Sequence, residues 1–409
     1  MSELNMFSSA TSPPTLFTLI VITALSVLSM NMYLPSLGNM ATEFGVSYGL
    51  MNLSISGYLV VTGVLQLIIG PLSDRYGRRC LLLVAMALFA VASVGCALAM
   101  DMYVFLFFRM LQGAVIAGSA LSRAVIRDMA GPQETARRLG HVNMAMALAP
   151  MLGPVLGGVL DELFGWRASF HVFALIGLFV FWLCWVDLGE TSRPVDKGIG
   201  ERFTEWQELF RSPRFWGYTV CIAFAIGAFF IFITGTPLVA QAALGLSPSA
   251  VGVCIGLITA GFVVGNIVST RLVQRKSLTT MMIAGRIVAL VGLLGSLVAC
   301  FAGWVNVFTL FGGVVLVGFG NGVSLPSANA GALSVHPKLA GSASGVSGAF
   351  GVAVGAVVTW LAGFLLTPQN GPVMLLSLML ICVAISLLAA LQVLMVDRRE
   401  SRTIGVAFD

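Results

Sequence analysis

Apolar runs of about 20 residues, the length an α-helix needs to cross the hydrocarbon core of a bilayer, recur from Leu16 almost to Val396 of this 409-residue chain. No water-soluble core can absorb so many such segments. The runs are continuous, and a membrane β-barrel would instead show alternating segments of about ten residues. Charged residues make up only 10% of the chain and hydrophobic ones 58%, against roughly 25% charged in soluble domains. The predicted spans are 16–37, 49–70, 79–99, 103–124, 140–160, 168–187, 214–237, 248–270, 278–300, 305–329, 342–366 and 373–395, called helices 1 to 12. The expected fold class is therefore an all-α polytopic membrane protein with twelve transmembrane helices.

Basic residues set the orientation, because Lys and Arg are retained on the cytoplasmic side. Placing both termini in the cytoplasm puts Arg75, Arg78, Arg79, Arg123, Arg127, Arg137, Arg138, Arg271, Arg275, Lys276 and Lys338 inside, and among loop residues leaves only Arg167 outside. The net charge of +5 then reflects topology, and no nucleic-acid partner is expected. The N-terminal "MSELNMFSSATSPPT" has no Lys or Arg, so it lacks the positive region of a cleaved signal and helix 1 is read as retained. The seven cysteines form no C-x-x-C pair, which points to apolar packing and away from a disulfide framework or a zinc site. There is also no H-E-x-x-H and no paired buried Asp, so an intramembrane enzyme is not expected. No cofactor or metal is implied.

The longest polar break, Gly189 to Pro213, divides the chain into six helices and six helices. An internal duplication offset by about 200 residues is the natural hypothesis for a transporter. Basic hairpins at matching places support it, "GPLSDRYGRRC" at 70–80 and "STRLVQRKS" at 269–277. The expected domains are a cytoplasmic segment 1–15, a bundle 16–187, a linker 188–213, a bundle 214–395 and a tail 396–409. In the linker, Phe203, Trp206 and Phe210 lie opposite Arg202, Glu205 and Glu208, which predicts an amphipathic helix at the membrane surface. "SPRFW" at 212–216 reads as an N-cap Ser and first-turn Pro opening helix 7.

Three stretches resemble signature motifs: "GPLSDRYGRR" between helices 2 and 3, "RMLQGAVIAG" at 109–118, and "APMLGPVLGG" at 149–158. They resemble the major facilitator superfamily (MFS), in its twelve-helix drug:H+ antiporter branch. "MYLPSL" ending helix 1, "RD" at 127–128 and "ETSRP" at 190–194 resemble the bicyclomycin/chloramphenicol resistance (Bcr/CflA) efflux family. The resemblance implies two pseudo-symmetric six-helix bundles, and a clasp in which Asp74, Arg78 and Asp128, with Gly70, Gly77 and Arg79 of the same loop, hold the cytoplasmic side shut. It also marks Pro150, Gly153, Pro154, Gly157 and Gly158 as the helix 5 antiporter motif. Read from the residues alone, those prolines and glycines bend helix 5 and admit a close neighbour. Gly341, Gly345, Gly348, Gly351 and Gly355 predict similar close packing for helix 11.

Arg109 lies well inside helix 4, where a charge costs on the order of 3 kcal/mol and is a functional candidate by default. Arg286, nearer the cytoplasmic end of helix 9, is expected to snorkel to the surface as a structural residue. Proton antiport normally uses a membrane-buried Asp or Glu, yet none of the seventeen acidic residues falls mid-helix. Glu43, Asp101, Asp161 and Glu162 are placed in outer loops. The resembling family has D-x-Y-L-P ending helix 1, and here the Asp position is Asn31, expected at the depth of Arg109. Asn can accept a guanidinium hydrogen bond but does not titrate. Two mechanisms follow. Protons ride on a histidine, with His141 the candidate and His336 the other, or Arg109 attracts an anionic or strongly polar substrate for uniport or exchange. The remaining cavity candidates are Tyr33, Tyr58, Gln66, Gln112, Asn143, Asn266, Asn321 and Asn329, with Met146, Phe229 and Phe232 as apolar contacts. The expected function is export of small amphipathic compounds from the bacterial inner membrane by alternating access, by a monomer whose partners are its substrate, the lipid bilayer and possible protons. The alternative is an importer, uniporter or exchanger of an anionic metabolite or siderophore.

Overall fold

A computed structural model describes residues 14–129, 132–191, 209–336 and 339–404. Among these, twelve helices are long and apolar enough to cross a membrane: Leu16–Glu43, Tyr48–Gly70, Arg78–Leu98, Met102–Ile126, Arg137–Phe164, Arg167–Asp187, Pro213–Leu244, Pro248–Leu272, Leu278–Phe301, Val307–Ser334, Ser342–Leu365 and Gly371–Arg399. They match the twelve apolar runs one for one. Two compact units result, Met1–Lys197 with Ser247–Val253, and Gly198–Leu246 with Cys254–Asp409. The predicted surface helix around Phe203 and Trp206 lies outside the described residues. Helix 7 opens as its sequence predicts: Ser212 accepts a hydrogen bond from the Phe215 N–H at 3.2 Å, and Pro213 fills the first helical position.

Helix 1 is interrupted at the stretch "NMYLP". Its α-helical part stops at Asn31, and a 3-10 turn, Leu34–Ser36, leads into a second helical piece, Leu37–Glu43. Pro35 explains the break, because it has no N–H to return to the Asn31 carbonyl four residues earlier. Helix 5 packs directly on the interruption. A side chain at Gly157 would place its Cβ 1.5 Å from the Met32 carbonyl oxygen, so only glycine permits the approach. Helix 4 carries its own tightened turn, Gly113–Val115, immediately after Gln112, and the Ser26 hydroxyl donates to the Val115 carbonyl at 2.7 Å. A mid-helix 3-10 turn of this kind often marks a hinge.

In the second unit helix 10 is the close-packed element. A Cβ at Gly318 would lie 2.0 Å from the Ile258 carbonyl oxygen of helix 8, and one at Gly320 2.2 Å from the Gly285 carbonyl oxygen of helix 9. Helix 11 departs from its expected packing. Gly341 lies outside the described surroundings; of the other four, Gly345 and Gly348 have nothing within 4 Å of an added Cβ, Gly351 has only an ordinary contact at 3.6 Å, and Gly355 is tight, against the Phe230 ring at 2.5 Å. Glycine content in membrane helices does not by itself specify an interface.

An aspartate near the end of the last helix ties down the first helix in each unit. Asp187 accepts from the Thr15 N–H at 2.8 Å and from the Thr15 hydroxyl at 2.9 Å, capping helix 1. Asp397 pairs with Arg214 at 3.0 Å at the start of helix 7, and accepts from Thr279 of helix 9 at 2.9 Å. Carboxylates suit these positions, because each meets free N–H groups or a cation at a helix end. Asp161 and Glu162 lie in the last turn of helix 5, and Glu43 closes the second piece of helix 1, so none of the three is a loop residue as predicted. Asp161 is buried and accepts from Asn39 at 2.7 Å.

Candidate functional site

Arg109 is fully buried, 0% exposed, in helix 4. Its Nη2 donates to the Ser29 carbonyl of helix 1 at 3.0 Å, its Nε to the Ser54 carbonyl of helix 2 at 3.4 Å, and its Nη1 to the Gln112 side chain at 2.7 Å. Gln112 in turn donates to Ser93 of helix 3 at 2.7 Å. The guanidinium carbon lies 4.4 Å from the Tyr33 ring centre and 4.1 Å from that of Tyr58, within range of a cation–π attraction. The same two serines brace the rings. Ser29 donates its hydroxyl to the Ser26 carbonyl at 3.1 Å, so at the 2.9 Å contact with Tyr58 it is the tyrosine that donates. Tyr33 and Ser54 meet at 3.1 Å. Four helices are thus joined through one cation, and the acceptors around it are neutral.

Asn31 is not one of those acceptors, contrary to the expected pairing. Its Nδ2 turns back to the Val27 carbonyl at 2.8 Å, and its buried Oδ1 has no hydrogen-bond partner. Its Cβ lies 3.7 Å from where a Cβ on Gly153 would stand. The physical reason is local: the guanidinium already takes the Ser29 carbonyl, two residues earlier, and Asn31 sits where the helix ends, facing helix 5. The partners that sequence reading missed are Ser29, Ser54 and Ser93. Two of them act through backbone carbonyls, which carry no residue-type signal.

The second half holds another buried cation. Arg286 is 0% exposed and does not snorkel, which corrects its expected path to the surface. Its Nη2 donates to the Asn321 side-chain oxygen Oδ1 at 2.7 Å and to the Ser324 hydroxyl, both on helix 10. Asn321 passes the link on, its Nδ2 donating to the Ala225 carbonyl of helix 7 at 3.2 Å. The close approach at Gly285 and Gly320, each adjacent in sequence to one of the polar residues, holds helices 9 and 10 together beside the arginine. Its Nε and Nη1 have no partner.

At the loop between helices 2 and 3, Gly77 takes a positive φ of +87° that glycine alone adopts without strain. Arg78 forms an ion pair with Asp128 at the far end of helix 4. Glu190, beyond helix 6, accepts from the Arg78 and Arg79 backbone N–H groups at 3.0 and 3.2 Å, capping helix 3. Arg79 reaches the Trp185 carbonyl at 2.9 Å. The Asp74 side chain lies outside the description, and an added Cβ at Gly70 meets nothing within 4 Å. Glu190, whose sequence position gave no sign of this contact, anchors the loop.

The other candidates scatter. Met146 is partly buried against Leu19, Val125, Ile126 and Val142. Phe232 is buried edge-on to Phe311 at 6.1 Å, and Phe229 lies 5.9 Å from Phe230. Gln66 and Asn266 are half-buried, while Asn143 and Asn329 are exposed. His141 is exposed, with Nδ1 2.9 Å from the Arg137 carbonyl.

Residues 19–359 match the sequence profile described as Major Facilitator Superfamily. The chain belongs to that superfamily. An MFS-type transporter of Bacillus subtilis, YdgK, is 30% identical over 361 residues, covering 85% of this chain and 88% of the relative. Multidrug resistance protein D of Escherichia coli is 28% identical over 360 residues, covering 87% and 89%. Among solved structures, a bacterial homologue of the human lysosomal transporter Spinster, inward-facing and unoccupied, superposes with a TM-score of 0.76 at 16% identity over 94% and 96% of the two chains. That likeness establishes the MFS fold, with its multi-pass membrane architecture.

Proposed function

We propose that this chain is a Bcr/CflA-type efflux transporter, moving small amphipathic compounds out across the bacterial inner membrane by alternating access. The observation that carries this reading is the signature loop, whose Arg78 joins Asp128 while Glu190 caps the helix it opens. Similarity to a multidrug resistance protein over nearly its whole length supports it. Asn143 and Asn329 are exposed within membrane helices. An amide facing lipid is costly, so these faces suit a wetted substrate path. Both termini are cytoplasmic, and the working unit is a monomer.

The coupling differs from the family pattern. Position 31 carries an amide, and the surroundings of Arg109 contain no carboxylate in hydrogen-bond contact. We therefore expect proton coupling to be weak. Flux of a fluorescent amphipathic cation and of chloramphenicol into inside-out proteoliposomes tests both parts, with and without an imposed pH gradient, for wild type beside Asn31→Asp. Flux in the wild type with little pH dependence, and more in the variant, is the expected result. No flux of any compound that binds would end the efflux reading. Strong proton-driven flux lost on replacing His141 would move coupling to that histidine.

A further inference from the structure

Arg286 presents a problem that its own half cannot solve. It is a fully buried guanidinium with only Nη2 engaged, and only by neutral oxygens, while Nε and Nη1 are unpartnered. A buried charge is costly unless it is paired or its donors are all hydrogen-bonded. No Asp or Glu occurs between Glu208 and Asp397. Asp397 is occupied by Arg214 and by Thr279, and Thr279 lies seven residues from Arg286 along helix 9, about 10 Å at 1.5 Å per residue. On helix 10, Asn321, Ser324 and Ser327 recur every third residue and so share one face. The Ser327 hydroxyl is also buried without a partner. The two free guanidinium nitrogens are donors only, and a hydroxyl, which can donate as well as accept, leaves their charge unbalanced.

We propose that Arg286 is the core of an anion-binding site inside the C-terminal half, which takes a small monovalent anionic group on Nε and Nη1. A halide or a carboxylate both supply that chemistry. The site is separate from the efflux reading, because it requires only that an anion enter the bundle, and an inactive transporter could still bind one.

Thermal unfolding of the purified full chain tests this, at constant ionic strength in sodium chloride, in sodium benzoate, and in sodium gluconate as the bulky hydrated reference. The expected result is a midpoint higher by ~2–4 °C in a binding anion. Stabilisation by chloride alone identifies a halide site, and stabilisation by benzoate, with benzamide inert, identifies a site for organic carboxylates. Arg286→Gln should lose the response. Asn321→Asp is the sharper variant, because it places a carboxylate beside the guanidinium and should make the midpoint indifferent to the anion while the protein stays folded. A wild-type midpoint that does not depend on the anion overturns the proposal, as does a response that survives in Asn321→Asp or in Arg286→Gln. If Arg286→Gln does not fold, Asn321→Asp alone decides.

Discussion

The two buried arginines have the same exposure and opposite surroundings. Arg109 spends its donors on two backbone carbonyls and a glutamine, between two tyrosine rings. Arg286 leaves Nε and Nη1 unmatched. The halves use comparable helices for this. Arg109 reaches Ser29 of helix 1 from helix 4, and Asn321 reaches Ala225 of helix 7 from helix 10. In the second half the amide does the bracing and the charge is added from helix 9. A buried cation whose needs are all met by the fold joins helices, whereas one left short of acceptors has capacity for a ligand.

The largest expected effect comes from removing the braced cation. Arg109→Ala strips acceptors on three helices of their donor, and each buried acceptor left unsatisfied costs about 1–3 kcal/mol. Little folded protein should be recovered in size-exclusion chromatography, and Arg109→Lys, unable to span all three acceptors, should recover only part of it. Arg286→Gln should fold far better than Arg109→Ala. Equal losses would erase the distinction between the two sites.

Glycine contacts give a second, smaller contrast. Gly157→Ala forces a Cβ against the rigid Met32 carbonyl, and overpacking of this kind costs roughly 1–3 kcal/mol. Gly345→Ala on helix 11 meets open space and should be neutral or stabilising by up to about 1 kcal/mol through helix propensity. Thermal midpoints of the two variants check this directly.

The smallest effect concerns pH. Glu134, in the first turn of the helix Pro132–Phe164 that continues into span 5, is hydrogen-bonded by Arg137 and Arg138, and these hold its carboxyl down from 4.5 to about 2. A depressed carboxylate contributes its ion pair above its unfolded value, and loses it as pH falls from about 4.5 toward 2. The group is exposed, so the effect is local. Glu134→Gln should increase amide exchange around residues 134–138 near neutral pH, and should match the wild type near pH 2.

The fold was legible because hydropathy of this length and continuity has one physical solution, and because Ser212 and Pro213 carry a helix start in their chemistry. The charge at Arg109 was legible as well, since a cation seven residues inside a helix is conspicuous in sequence. Its partners were not, because a carbonyl acceptor looks the same under any residue name. Arg286 was misread for a different reason. Its distance from the helix end suggested a route to the surface, but its direction is set by the Gly285–Gly320 contact, which turns it inward against helix 10. Asn31 shows the limit of motif reading, since the stretch "NMYLP" ends helix 1 through Pro35 whatever residue stands at position 31.

Anomalous scattering from crystals grown in bromide locates a bound anion without reference to transport. A bromide peak within hydrogen-bond distance of Arg286 Nε and Nη1, with none at Arg109, is the predicted result. A peak at Arg109, or an empty position at Arg286 under bromide, would contradict the assignment of one arginine to bracing and the other to binding.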